Sequence, residues 1–150
     1  MMNQSGADAG LEVRLRTLRI LWAVFLTTIG LYVLVTVSAR PSADELAEGG
    51  RDNPALLMAL AVAGLSTVAI SFVLKRSFYA RAAERGDPAQ LQQGFIIAVV
   101  LCETCVLIGL VGLFITWNSY AYALFVLGAL GIALHFPRRE DVAATYYKRP

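Results

Sequence analysis

Four long apolar stretches, at residues 18–37, 55–74, 95–116 and 120–136, constrain this chain more than any other feature of its sequence. In a helix that rises about 1.5 Å per residue, about 20 residues cross the hydrocarbon core of a bilayer, which is about 30 Å thick. The stretches are continuously apolar and lack the alternation of β-barrel strands, so each is predicted to be a helix. The sequence therefore predicts an all-α membrane protein in which residues 1–150 form a single domain of four transmembrane helices.

The composition agrees with a membrane protein and argues against other classes. Of the 150 residues, 57% are hydrophobic and 16% are charged, whereas an average soluble domain has about 25% charged residues. Four spans with short tails use nearly the whole chain, so no soluble catalytic domain and no enzyme activity are expected. The 13 basic and 11 acidic residues are too evenly balanced to indicate nucleic acid as a partner. We expect membrane lipids around the protein, and either a homo-oligomer or an assembly with other membrane subunits.

The lysine and arginine residues are concentrated at one end of the predicted helices. Eleven of the 13 lie in the N-terminal segment, the second connection and the C-terminal tail, whereas the first connection has two and the third has none. Basic residues close to the ends of spans stay on the cytoplasmic side. We therefore expect a multi-pass protein of the plasma (inner) membrane with both termini in the cytoplasm. The eleven residues are Arg14, Arg16, Arg19, Lys75, Arg76, Arg81, Arg85, Arg138, Arg139, Lys148 and Arg149.

The end of the first apolar stretch allows a second interpretation. Val37, Ser38 and Ala39 loosely resemble the small-residue site at which a signal peptide is cleaved. The apolar stretch before them is longer than the roughly 7 to 15 residues of a typical signal peptide. We therefore favour a first helix that is retained, with cleavage as the lesser alternative.

Glu103 is the only acidic residue inside the predicted spans. It lies about eight residues from the cytoplasmic end of the third span, or about 12 Å into the hydrocarbon core by helical rise. A charged side chain near the centre of a span costs about 2.5 to 3.5 kcal/mol on insertion scales, and such residues are usually functional. Because desolvation favours a neutral carboxyl group, Glu103 is predicted to bind and release a proton. The alternative is a neutral glutamate that makes one interhelical hydrogen bond for packing.

Hydroxyl side chains on two other helices are predicted at the depth of Glu103. Counting inward by eight or nine residues brings Thr27 and Thr28 of the first helix, and Ser66 and Thr67 of the second, to this level, whereas no Lys, Arg or His reaches it. Hydroxyl groups can hydrogen-bond a carboxyl group and can also coordinate Na⁺ through oxygen. The sequence therefore predicts that these five residues form a site for a proton or for Na⁺.

The two cysteines and the single histidine are expected to have no chemical role. Cys102 and Cys105 form a C-x-x-C pair in a helix interior, without the second pair that a zinc site needs or the exposed helix N-terminus that a redox pair needs. His135 is predicted to be solvated at the cytoplasmic end of the fourth helix, with a proton path toward Glu103 as the alternative. We expect neither a metal nor a cofactor.

Small residues indicate where the helices should pack against one another. Glycine and alanine let helix backbones approach closely, which is the main use of such residues in lipid. On their own they predict packing and no chemistry. The positions predicted to lie at helix contacts are Ala59, Ala63, Gly64, Gly109, Gly112, Gly128 and Gly131.

The second and third helices resemble the hairpin of the ATP synthase subunit c proteolipids. Residues 101–111 read LCETCVLIGLV, in which Glu103 is followed six residues later by Gly-Leu-Val, as in the helix of that family that carries the ion-binding carboxylate. The preceding helix has alternating alanines, and a polar, basic loop at residues 75–93 contains the sequence Arg-Gly-Asp-Pro. The resemblance implies that Glu103 is the ion-binding residue. It covers residues 54–114, and alanine stands mostly where that family has glycine.

Two functions from different classes follow. The first is a small membrane protein with a buried, subunit-c-like carboxylate that binds a proton or Na⁺. The second is a non-catalytic accessory subunit of a larger membrane complex, which uses its small-residue faces to pack and its basic segments to hold anionic lipid or a partner. A Glu103→Gln variant separates them, because it cannot ionise but keeps the size and the hydrogen-bonding groups of the side chain.

Overall fold

The computed structural model of the protein describes residues 4–42 and 53–147, with side chains from residue 8 onward. All regular structure in these ranges is helical, which confirms the all-α class for the described part of the chain. A short 3₁₀ turn, Ser119–Ala121, lies between the third and fourth helices. The helices are α1 (Gln4–Ser38), α2 (Pro54–Arg85), α3 (Pro88–Thr116), α4 (Tyr122–Leu134) and α5 (Arg139–Tyr146).

Three of these helices, α1, α2 and α3, are long and apolar enough to cross a membrane. The fourth predicted span is shorter than expected, because its first turn is 3₁₀ and α4 ends at Leu134. The stretch Ser119–Leu134 passes the same test only together with α5, from which it is bent by 46°. The protein is therefore a membrane-embedded helical protein with three to four candidate spans in the described ranges.

The connection between α2 and α3 is much tighter than the polar loop expected at residues 75–93. α2 continues through the basic segment until Gly86, whose φ of 64° ends the helix in the left-handed region. The side chain of Asp87 then accepts hydrogen bonds from the backbone N–H groups of Ala89 and Gln90, which caps the start of α3. Hydropathy indicates which residues can lie in lipid, whereas a helix continues until local capping ends it. Most of the residues expected in the loop therefore belong to α2 or α3, and the two helices form a tight hairpin.

The bundle is built around the α2–α3 hairpin, which is its most extensive helix pair. α4 packs against both helices of the hairpin, and α1 crosses α3 and α4. A Cβ atom on Gly128 of α4 would lie 2.7 Å from the carbonyl oxygen of Cys102, so only glycine allows this close approach of α4 to α3. We call the end of the bundle that contains the Gly86 turn the turn end. There α5 packs across α1, α2 and α3.

A single stripe of side chains attaches α1 to the rest of the bundle. It begins with three leucines that recur at helical spacing, and the steps along it alternate between four and three residues. This spacing is typical of helices that pack with a left-handed crossing. Most of α1 outside the stripe is open, since only 11% of its most apolar 18-residue stretch is buried inside the chain. The stripe consists of Leu11, Leu15, Leu18, Trp22, Phe25, Ile29, Tyr32 and Thr36.

The basic segments come together at the turn end. Arg14 of α1 donates a hydrogen bond to the carbonyl oxygen of Pro88, and Arg139 of α5 forms an ion pair with Glu12 at 3.3 Å. Every described lysine and arginine except Arg40 belongs to the segments that meet at this end. The basic segments, which are separate in the sequence, are therefore gathered at one end of the folded bundle. Arg51, Lys148 and Arg149 lie outside the described residues.

Candidate functional site

Glu103 lies near the middle of α3 and is half-buried. Its Oε1 atom accepts a hydrogen bond of 3.1 Å from the phenolic hydroxyl of Tyr32 on α1. Among the described residues the one ion pair joins Arg139 and Glu12, so no cation is paired with Glu103. The site is thus a carboxyl group with a neutral hydroxyl donor, placed at the contact between α1 and α3.

The four hydroxyl residues predicted around Glu103 make their hydrogen bonds elsewhere. Thr27 and Thr28 donate to carbonyl oxygens of α1 at 2.9 and 3.0 Å, and Ser66 and Thr67 donate to carbonyl oxygens of α2 at 2.7 and 2.8 Å. Serine and threonine in a helix readily reach the carbonyl group one turn earlier, which satisfies the hydroxyl where water is scarce. The structure therefore brings a tyrosine to Glu103 rather than these residues, because a shared depth in the membrane does not imply a shared helix face.

The sequence analysis did not predict Tyr32 as a partner of Glu103, although the spacing of residues along α1 indicates it. The buried residues Leu11, Leu15 and Leu18 begin the stripe on α1, and continuing the alternation of four and three residues leads to Tyr32. Thr27 lies off this stripe, on the exposed face of the helix. Because a tyrosine combines an apolar ring with a polar tip, it can pack in such a stripe and still present a hydrogen-bond donor.

A second polar contact, not predicted from the sequence, lies inside the bundle and joins three helices. The hydroxyl oxygen of Ser71 on α2 is 3.3 Å from Sγ of Cys102 on α3 and 3.3 Å from Nε2 of His135 at the end of α4. The His135 ring also packs against Phe72, with 4.4 Å between ring centroids. The prediction that water solvates His135 is wrong, because the side chain is fully buried. α4 ends at Leu134, and His135 directly after it lies inside the bundle instead of at the surface.

Both cysteines are free thiols inside the bundle. Cys105 donates a hydrogen bond of 3.5 Å to the carbonyl oxygen of Leu124, and Cys102 contacts Ser71 as described above. In the described ranges, no group of three or more His, Cys, Asp or Glu side chains is arranged to hold a metal ion. Through these contacts the two thiols join α3 to α2 and α4.

The small residues predicted at helix contacts fall into two groups. Five glycines are buried, and a Cβ atom on any of them would come within 3 Å of a neighbouring helix. Ala59 and Ala63 are instead exposed, which differs from the prediction. α2 turns the face with Gly64, Val68 and Ser71 toward the bundle, and this rotation leaves both alanines on the outside. The five glycines are Gly64, Gly109, Gly112, Gly128 and Gly131.

Comparison of the chain with known protein families, with curated proteins and with solved structures finds no match. The resemblance of α2 and α3 to the subunit c hairpin therefore stays a prediction. The contact between Tyr32 and Glu103 holds a carboxyl group in the middle of a span.

Proposed function

We propose that this protein binds and releases a proton, or binds Na⁺, at Glu103 within the membrane. In this proposal α4 is the fourth span and both termini are in the cytoplasm of a cell whose plasma (inner) membrane holds the protein. The gathering of the described basic residues at the turn end supports this orientation, because basic residues near span ends stay on the cytoplasmic side.

The observation that carries the proposal is the hydrogen bond from Tyr32 to Glu103. A hydroxyl donor can serve an ionised carboxylate as well as the carbonyl oxygen of a neutral carboxyl group, so the contact is compatible with both protonation states. An ion pair would instead hold the carboxyl group in its charged form. Glu103 is also only half-buried, unlike the fully buried Ser71 and His135, so the chain itself does not enclose its side chain.

Infrared difference spectroscopy of the protein reconstituted in lipid vesicles tests the proposal. We expect the carbonyl-stretch band of protonated carboxyl groups to contain a component that changes with pH and is missing in Glu103→Gln. The matched control is Glu84→Gln, which changes an exposed glutamate at the turn end of α2 and should leave the band in place. If Na⁺ also binds, replacing choline by Na⁺ at constant pH should reduce the band. A pH-dependent band that is identical in the wild type and in Glu103→Gln would contradict the proposal.

A second candidate function is that of a non-catalytic accessory subunit in a membrane complex. This function is favoured by the exposed apolar faces of α1 and α2. Only 11% of the most apolar 18-residue stretch of α1, and 17% of that of α2, is buried inside the chain. Lipid or protein can cover such faces. The native mass after extraction in a mild detergent separates the cases. A homo-oligomer supports a self-assembling ion-binding unit, whereas defined heterologous subunits together with a silent Glu103→Gln variant support the accessory role.

A further inference from the structure

An open groove of about 570 Å³ lies at the turn end, between α2 and the bend that joins α4 to α5. We call it the basic groove. One part of its wall is apolar and consists of Phe72, Leu134 and Phe136, all of which are exposed. The groove continues along α2 from Phe72 to Lys75, which is about 4.5 Å farther by helical rise. The wall therefore changes from apolar to charged within one helical turn.

The charged part of the basic groove has an excess of positive charge. Lys75, Arg76 and Arg138 line it together with a single carboxylate, that of Asp141. None of these four residues takes part in an ion pair among the described residues. The charge of Asp141 attracts the Lys75 ammonium group, whereas the charge of Arg138 repels it. An anion held between these two cations would relieve that repulsion.

We propose that the basic groove binds the headgroup of an anionic phospholipid. The phosphate group lies between Lys75 and Arg138, and an acyl chain runs over Phe72, Leu134 and Phe136 toward the middle of the membrane. Basic pockets between transmembrane helices near the membrane surface are suited to anionic headgroups. A free phosphate ion would use only the cations, whereas a lipid also covers the exposed apolar wall. The proposal does not depend on an ion-binding role of Glu103.

The side chains that line the groove also account for its selectivity. A zwitterionic lipid has the same phosphate group but adds a cation, which Lys75, Arg76 and Arg138 would repel. Asp141 opposes any anion, so removing its charge should strengthen binding. The ring of Tyr79 lies 5.1 Å from Nζ of Lys75, and this cation–π contact holds the ammonium group at the wall of the groove.

Native mass spectrometry of the delipidated protein in detergent tests the proposal. The protein is titrated with phosphatidylglycerol and, separately, with phosphatidylcholine of the same chain length. We expect tighter binding of phosphatidylglycerol by the wild-type protein. The double variant Lys75→Gln, Arg138→Gln should weaken that binding about 25-fold, since one cation near an anionic lipid contributes about a fivefold change. The matched control Arg16→Gln, Arg81→Gln removes the same charge from exposed positions at the same end and should bind almost as well as the wild type.

Two further measurements complete the test. Asp141→Asn should bind phosphatidylglycerol more tightly than the wild type, a gain that a misfolded variant could not produce. Glycerol phosphate in millimolar excess should not displace the lipid. Equal binding of the two lipids, equal loss in the groove and control variants, or full displacement by glycerol phosphate would each overturn the proposal.

Discussion

The hydroxyl group of Tyr32 donates a hydrogen bond to Oε1 of Glu103 across 3.1 Å and thereby joins α1 to α3. On α1 the tyrosine lies between Ile29 and Thr36, which are both buried and belong to the same stripe. The one acidic group in the middle of a span is thus held at a contact between two helices. Any change of its protonation state acts directly on one of the contacts between α1 and α3.

Tyr32→Phe should release the carboxyl group of Glu103 without removing the ring from the stripe. We expect the carbonyl-stretch band assigned to Glu103 to move to higher frequency, because a carbonyl group that loses a hydrogen bond stretches at higher frequency. The thermal unfolding midpoint in detergent should fall only slightly, in line with about 0.6 kcal/mol for an average hydrogen bond between transmembrane side chains. Tyr120→Phe, at a position that is 80% exposed, is the control and should change neither quantity. An unchanged frequency in Tyr32→Phe would contradict the hydrogen bond.

Gly128→Ala should destabilise the bundle, whereas Gly30→Ala should not. At Gly128 the new Cβ atom would meet the backbone oxygen of Cys102 at 2.7 Å, and backbone cannot move aside as a flexible side chain can. We expect a loss of about 1 to 3 kcal/mol in the free energy of unfolding, as for other overpacked sites. At Gly30 nothing lies within 4 Å, so alanine should stabilise the helix by about 0.5 to 1 kcal/mol. Unfolding in mixed micelles measures both, and equal effects would contradict the packing of α4 against α3.

Ser71→Ala should cost more stability than Ser66→Ala. Ser71 is the hydrogen-bonding neighbour of both Cys102 and His135 inside the bundle, so its removal leaves buried polar atoms without a partner. Such a loss costs about 1 to 3 kcal/mol. Ser66 is exposed and bonds only the backbone of its own helix, so it serves as the matched control. The two variants are compared by thermal unfolding in detergent. Equal unfolding midpoints would mean that the contacts of Ser71 with Cys102 and His135 add no stability.

Single cysteines introduced at the two ends of the bundle should report the number of spans and their orientation. Cys102 and Cys105 are fully buried and should not react with a membrane-impermeant maleimide, so the wild-type chain is a silent background. We expect Tyr120→Cys to be labelled on intact cells and Ala144→Cys to be labelled only after the membrane is opened. Labelling of both from the outside would mean that α4 does not cross the membrane, and the reverse pattern would place the termini outside.

The contact between Tyr147 and Asp8 should give the attachment of α5 to α1 a dependence on pH. The hydrogen bond to the Asp8 carboxylate, followed by desolvation and charge repulsion, raises the pKa of Tyr147 above its ordinary value of about 10. Because the folded pKa lies above the unfolded one, the contact stabilises the fold at lower pH and is lost as the pH rises through the raised pKa.

Spectrophotometric titration of the tyrosines measures this effect. Asp8→Asn removes the negative charge, so one tyrosine should ionise at lower pH than in the wild type. Glu140→Gln, which removes an exposed carboxylate from α5, should leave the titration curve unchanged. Identical curves for Asp8→Asn and the wild type would show that the two side chains do not interact in solution.

Local chemistry was sufficient to predict the helical class and the three long apolar helices. Hydropathy over about 20 residues identifies the segments that can lie in lipid, whatever the rest of the chain does. The capping residues Gly86 and Asp87 also act locally, and their sequence Arg-Gly-Asp-Pro marks the turn between α2 and α3. The position of Glu103 within a span could be predicted for the same reason.

The partners of Glu103 and the burial of His135 depend on how each helix is rotated about its own axis. That rotation follows from close packing between helices, such as the approach of Gly128 to the backbone of Cys102, and hydropathy contains no information about it. It turned Tyr32 toward Glu103, while the hydroxyl of Thr27 bonds its own helix. The depth of a residue in the membrane is a property of one segment, whereas a contact is a property of two helices together.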